Sequence, residues 1–285
     1  MSKIFETKHC IIFAVVMFLV GAIALTFVGC NQNGSEPNEN NTLKAGKLTV
    51  AVEENNYPAV YKNDNGKIVG VEINYLEKLC KEAGFEVEYK TMPFNQIIDA
   101  INKHDVDVSM NQISVTDGRK SKVDFSEPYN KNGVSLYVKE DSSYTVDSLK
   151  QKAVRDKLNV ATLDGTYYEN FKSTLEGTIN NLPYSYVEDC IASVQSGETD
   201  CFVFDSNPIA LIDFTKNKHL KGLFLNDMPE YDIAIALNKN LKGVNEKLYP
   251  VMLKMNNERY LQRVQEYFYT LDNPKAWDGI LPAGK

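Results

Sequence analysis

Near its start the chain carries one continuous apolar run, Cys10 to Val28, preceded by Lys3 and Lys8 and followed by a polar tract. The run is too short, and at its end too rich in small residues, to favour a stable membrane-spanning helix. Beyond residue 46 the pattern changes to short apolar segments alternating with amphipathic ones. Lys47 to Val52 predicts a strand. Ile73, Leu76, Cys80 and Ala83 recur at helical spacing, with Gly84 as a C-terminal cap. Phe85, Val87 and Tyr89 alternate as a strand, Gln96 to Asn102 predicts a helix, and Val106 to Met110 predicts another strand. The alternation resumes with a strand at Leu158 to Thr162, a helix at Tyr168 to Leu175 and a strand at Tyr184 to Val187. A helix at Glu188 to Val194, a strand at Asp200 to Phe204 and a helix at Pro208 to Phe214 follow. This order predicts an α/β fold with parallel sheets and right-handed crossovers.

The two runs share one unit: a helix, a polar turn, an aspartate and an apolar strand. It occurs as His104-Asp105-Val106-Asp107-Val108 and again as Gly197-Glu198-Thr199-Asp200-Cys201-Phe202. Each strand leads into polar residues, Asn111, Gln112 and Ser114 in the first half, Asp205 and Ser206 in the second. Ligands of open α/β sheets bind beyond the carboxyl ends of the strands, so two such ends predict a cleft between two lobes. Two apolar runs ending in lysine, Gly133 to Lys139 and Asp232 to Lys239, read as the bridges of a two-stranded hinge. Helices across Leu241 to Tyr269 close the pattern.

Composition narrows the setting. A formal net charge of −7 argues against nucleic acid or anionic lipid as a partner of the folded part. Residues 31–45 are rich in Asn, Gly, Ser and Glu and predict a flexible linker. Outside the leader the cysteines are Cys80, Cys190 and Cys201, an odd set that does not form a disulfide framework; Cys190 and Cys201 either pair or stay as buried thiols. No cofactor or metal is expected, since no His or Cys cluster has ligand spacing. At the leader's end, Val28-Gly29-Cys30 before Asn31-Gln32-Asn33 resembles the lipobox of bacterial lipoproteins, although Phe27 stands where a leucine is commoner. That resemblance implies a signal peptide over 1–30, a palmitate-type lipid on Cys30 and a folded part tethered outside the cell membrane. The alternative is an uncleaved anchor helix.

Individual residues suggest chemistry. Arg119 follows a Ser-x-Thr turn at a predicted helix start, where backbone N–H groups favour an anion and a guanidinium can grip a carboxylate through two parallel hydrogen bonds. The bland reading is a surface arginine paired with Asp117 or Glu127. Asp205 ends an apolar strand, where a buried carboxylate is costly without a cationic partner. It could instead cap the helix after Pro208.

Four stretches carry a resemblance: Asn65-Gly66-Lys67-Ile68-Val69-Gly70-Val71-Glu72-Ile73; Ser114 to Lys120 with Val123-Asp124-Phe125-Ser126-Glu127-Pro128-Tyr129; Asp164-Gly165-Thr166-Tyr167-Tyr168; and Gly197 to Asp205. In this order they resemble the polar amino acid-binding proteins of bacterial ABC transporters, over about Lys47 to Tyr269. The resemblance implies a two-lobed type II periplasmic-binding-protein fold, each lobe a mostly parallel sheet flanked by helices, with lobes over 46–135 plus 236–275 and over 136–235. It implies a free amino acid as ligand, an ABC transporter permease as partner, and a monomer. It assigns the ligand's α-carboxylate to Arg119 with Ser114, Thr166 and Tyr167, and its α-ammonium to Asp205. Asn111 and Gln112 would read the side chain, and the pair is similar to that of members taking cystine or cysteine. Phe94 and Tyr57 are candidate walls, or core residues. Asn56 and Ala59 depart from the aromatic positions around the proline, and Val71 and Asn74 depart after Gly70.

A binding protein is therefore the leading expectation. The rivals are an enzyme on the same fold, such as a secreted dehydratase, and a surface adhesin or sensor. An enzyme needs a positioned acid or base. His104 and His219 lie in polar turns, and Glu53, Glu54 and Glu188, which could reach the cleft, have no evident nucleophile to serve.

Overall fold

In the computed structural model, residues 38–285 are described except 54, 167–175, 207–213, 215–217, 226, 227 and 229. The leader, Cys30, Tyr167, the helix expected at Tyr168 to Leu175 and most of that at Pro208 to Phe214 lie outside the described residues.

Strand β1 (Lys47–Val52) is followed by a small sheet of β2 (Asn55–Asn56), β3 (Val60–Lys62) and β4 (Ile68–Val69). A helix over Val71–Glu82, β5 (Glu86–Thr91), a helix over Phe94–Asn102, β6 (Val108–Ser109), a short helix over Asp117–Lys122 and β7 (Asp124–Phe125) continue the chain. Then come β8 (Asn130–Asn132), β9 (Val134–Lys139), a helix over Val146–Arg155, β10 (Leu158–Leu163) and β11 (Ile179–Tyr184). A helix over Val187–Ser196 leads to β12 (Cys201–Asp205), β13 (Leu220–Phe224), β14 (Tyr231–Ile233) and β15 (Ala236–Leu237), before helices Val244–Asn257 and Tyr260–Phe268.

Two five-stranded sheets form, in the orders β5-β1-β6-β15-β7 and β11-β10-β12-β9-β13. In the first, β15 alone runs against the other strands. In the second, β9 alone does so. Each lobe is thus mostly parallel, which explains why β1 beyond Lys47 and all of β12 are buried without alternation: strands covered on both faces need not alternate. Over the first sheet Leu76 and Leu79 of the Val71–Glu82 helix pack in one core with Met252, Val264 and Phe268 of the C-terminal helices.

The bridging strands differ from the expectation. Gly133 to Lys139 is not a bridge: Val134 to Lys139 forms β9, a central strand of the second sheet, apolar because it is enclosed between β12 and β13. The crossing is made by β8 and β14, which pair antiparallel through Tyr231 with Asn132 and Ile233 with Asn130. Asp232 to Lys239 divides between β14 and β15. The strand expected at Tyr184 to Val187 is displaced as well, since β11 ends at Tyr184 and Val187 already begins a helix.

Part of the expected linker is bound to the first lobe. Asn40 Nδ2 donates to Lys242 O at 2.6 Å, Asn41 Nδ2 to Asn240 O at 2.9 Å, and the Leu43 N–H to Asp107 Oδ1 at 2.9 Å. The chain beyond residue 275 docks too, with Trp277 buried and its carbonyl accepting from Asn63 Nδ2 at 3.0 Å. Cys80, Cys190 and Cys201 are buried thiols, and Cys190 and Cys201 do not pair.

Two glycines of the quoted stretches have steric reasons. At Gly70, φ is +143° and a Cβ would collide with the Ala59 carbonyl. At Gly165, φ is +76° and a Cβ would lie 2.6 Å from the Cα of Asn95, a residue of the other lobe. The Asp164-Gly165-Thr166 turn is thus where the lobes touch.

Candidate functional site

The carboxyl ends of the two sheets face one another. Arg119 comes from the first lobe, in the first turn of the Asp117–Lys122 helix, whose N-cap Thr116 accepts the Arg119 N–H through its hydroxyl at 3.3 Å. The Arg119 side chain is buried inward: Nη1 donates to Ser114 O at 2.9 Å, and Nη2 reaches across to Gly165 O at 3.1 Å. Asp117 lies instead 3.8 Å from Lys120, so the surface pairing with Arg119 is not what forms. The guanidinium stacks over the Phe94 ring, 5.5 Å from its centroid, which makes Phe94 a platform for Arg119 as well as a wall.

Asp205 comes from the second lobe, at the end of β12, and is 5% exposed. Its Oδ2 accepts from Asn132 Nδ2 at 2.8 Å and its carbonyl from Tyr137 O–H at 2.6 Å. Asn132 lies on the bridging strand β8, so the position of this carboxylate is tied to the crossing itself.

Arg119, Ser114, Asn111, Gln112 and Phe94 of the first lobe and Thr166 and Asp205 of the second line one cavity of about 30 Å³. That is room for about two ordered waters. Asn111 is fully buried; its Oδ1 accepts the Glu53 N–H at 3.0 Å, while its Nδ2 has no hydrogen-bond partner among the described residues. Such a donor in a cavity wall is costly unless a ligand or water takes it. Gln112 holds a left-handed backbone, φ +52°, and its N–H donates to Glu72 Oε2 at 3.2 Å. Strain of this kind persists where the surroundings enforce it, and it concentrates at ligand sites. Thr166 turns its hydroxyl onto Leu163 O at 2.5 Å.

The profile of the bacterial extracellular solute-binding proteins, family 3, matches residues 48–273. The chain belongs to that family. Among its relatives, the L-cystine-binding protein TcyJ of Escherichia coli K12 is 25% identical over 269 residues, covering 90% of this chain and 96% of TcyJ. An ancestral arginine-binding protein bound to glutamine has a solved structure with TM-score 0.67 and 25% identity, over 79% of this chain and 99% of that one. An ancestral amino acid-binding protein, a precursor of cyclohexadienyl dehydratase, matches in fold with TM-score 0.69 at 24% identity, over 79% of this chain and 95% of that one.

In this family 3 solute-binding protein the cavity wall also includes Glu53, which the sequence placed within reach of the cleft. Glu53, directly after β1, lines the cavity together with Asn56, Leu163 and Phe204. Burial, and secondarily the charge of Glu188, pushes the Glu53 carboxyl up to about 7. The available signal was position: Glu53 follows β1 as Asn111 follows β6, at a strand's carboxyl end. Glu72 is also buried and pushed up to about 7, chiefly by desolvation, with Tyr129 O–H donating to it. Tyr57 is not in the small cavity. Its ring packs edge-on to Tyr61 at 5.1 Å and Phe268 at 5.9 Å, within the first lobe, and borders the wider mouth of the cleft.

Proposed function

We propose that this chain is the extracytoplasmic substrate-binding lipoprotein of an amino acid ABC transporter, and that it captures a free amino acid between its lobes. One observation carries the reading: a buried arginine of the first lobe and a buried aspartate of the second line the same cavity. An α-amino acid presents one carboxylate and one ammonium on a single carbon, so it satisfies both only when the lobes are together. Binding and closure are then a single event. Arg119 with Ser114, Thr166 and Tyr167 receives the carboxylate, Asp205 the ammonium, and Asn111 and Gln112 face the side chain. A lipid on Cys30 tethers the monomer at the membrane beside its permease.

Calorimetry against the common L-amino acids and cystine tests the reading. Saturable binding of at least one, with a fall in radius of gyration by small-angle scattering, is expected; a full panel without heat or thermal shift overturns it. For the tether, wild-type protein should take up labelled fatty acid and Cys30→Ser should not, and equal labelling removes the anchor.

A further inference from the structure

The cavity takes walls from both lobes, and the first crossing between the lobes is bonded toward one wall on each side. On the first-lobe side the contact runs through Tyr129, the residue before β8. Its N–H donates to Ile233 O of β14 at 2.9 Å, and its O–H donates to the Glu72 carboxylate. The other oxygen of that carboxylate accepts the Gln112 N–H at 3.2 Å. On the second-lobe side the contact runs through Asn132, the last residue of β8, whose Nδ2 donates to Asp205 Oδ2 at 2.8 Å. Gln112 and Asp205 line the cavity, whereas Glu72, Tyr129 and Asn132 are buried behind it.

Each contact is made at a local cost. Gln112 keeps a left-handed backbone, φ +52°, where its N–H meets Glu72. Asn132 is 1% exposed, and its Oδ1 has no hydrogen-bond partner among the described residues. An orphaned buried acceptor destabilises the fold. Turning the amide over would set that oxygen against the Asp205 carboxylate, so the donor toward Asp205 holds the amide as it is. Tyr129 and Asn132 stand three positions apart, about 10 Å of extended chain. One short strand, paired with β14, thus sets how far the two walls lie from each other.

We infer that Tyr129 and Asn132 are positioning residues for ligand capture: Tyr129 sets Gln112 through Glu72, Asn132 sets Asp205, and β8 fixes the two walls relative to each other. The inference rests on the proposed capture of an amino acid between the lobes, and it names residues behind the cavity on which that capture depends. Walls placed in advance cost the amino acid less to bind. They act once the lobes have come together, so they lengthen its stay rather than speed its arrival.

The test is stopped-flow binding of the common L-amino acids and L-cystine to the wild type, Tyr129→Phe, Asn132→Val and Asn132→Ser, with a melting curve for each protein. Tyr129→Phe keeps the ring and removes the hydroxyl. Asn132→Val suits a strand and removes the donor, and Asn132→Ser restores a shorter one. For the amino acid that the wild type holds longest, dissociation is expected to be about tenfold faster in Asn132→Val and about fivefold faster in Tyr129→Phe. Asn132→Ser is expected to fall between wild type and Asn132→Val, and association is expected to stay within about twofold throughout. Asp107→Ala, at the remote end of the first sheet, is the control for lost stability alone, with a lower melting temperature and unchanged dissociation from the folded protein. Dissociation within about twofold of wild type in both Tyr129→Phe and Asn132→Val overturns the inference, as does an equal acceleration in Asp107→Ala. A wild type that binds none of these amino acids removes the capture reading itself, and this inference falls with it.

Discussion

In the first lobe Asp107 stands one residue before β6, and in the second Asp200 stands one residue before β12. Both carboxylates take the amide of the neighbouring parallel strand: Thr49 N donates to Asp107 Oδ2 at 2.8 Å, and Asn159 N donates to Asp200 Oδ2 at 3.0 Å. Their own amides return the bond, Asp107 N to Thr49 O at 2.8 Å and Asp200 N to Asn159 O at 2.9 Å. The reversed strand of each sheet, β15 or β9, is supplied by the chain just after it crosses from the other lobe. At the opposite ends of the same sheets the likeness stops. The first lobe presents Arg119, Asn111 and Glu53, and the second presents Asp205 and Thr166. Strand ends remote from the cleft join neighbouring strands, so the same bonds recur there. Strand ends at the cleft are left unpaired by the sheet, so their side chains are available to differ.

The comparison predicts that substitutions at the two ends separate affinity from stability. Arg119→Ala or Asp205→Ala should cost on the order of 2–5 kcal/mol in binding, because each leaves a buried charge without its ligand partner. Calorimetry should therefore show affinity at least about thirtyfold weaker, with cooperative melting retained. Arg119→Lys should fail similarly, since an ammonium cannot reproduce a two-pronged grip. Near wild-type affinity in either alanine variant would show that the cleft ends are not where the lobes' chemistry diverges.

Asp107→Ala should do the reverse, losing about 3 kcal/mol of unfolding free energy by chemical denaturation while ligand affinity per folded molecule is kept. Its fully buried carboxylate serves the amides of Thr49 and Leu43 and lies 3.0 Å from His104 Nε2, and orphaned buried donors are costly. A next, smaller effect is confined to the first lobe. Glu53 and Glu72 are both pushed up to about 7 by burial, so the folded state holds their protons more tightly than the unfolded chain. Each contribution to stability is full below about pH 4.5 and is lost as the pH rises through about 7, a loss of about 2.5 kcal/mol per carboxyl between pH 5 and 8. Melting curves across that range should fall, and Glu53→Gln with Glu72→Gln should flatten them; an unchanged slope in the double variant would refute the assignment. Asp200→Ala should have the smallest effect, about 1 kcal/mol, because its partner Lys152 at 2.6 Å remains partly solvated. Equal losses at Asp107 and Asp200 would mean that burial does not distinguish the two clamps.

Local pattern by itself determined much of this protein. The apolar run of β1, the helical spacing from Ile73, the helix start before Arg119 and the acid ending β12 all follow from interactions within a few residues. The repeated aspartate before an apolar strand was visible too, though not its bond to the next strand. Tertiary structure alone decided where the chain crosses. β9 is apolar because two strands enclose it, and that enclosure depends on Cys201 to Asp205 and Leu220 to Phe224, far along the chain. Of the true bridge, Asp232 and Ile233 begin the apolar run read as the return crossing, whereas Asn130-Lys131-Asn132 has no apolar run to mark it, because its order comes from pairing with Tyr231-Asp232-Ile233 across about a hundred residues. The same holds for Tyr57, drawn into a ring cluster by Phe268, and for Arg119 reaching Gly165. Periodicity reports which face of an element is covered; it carries no information about which distant segment covers it, and the cleft is made of such pairings.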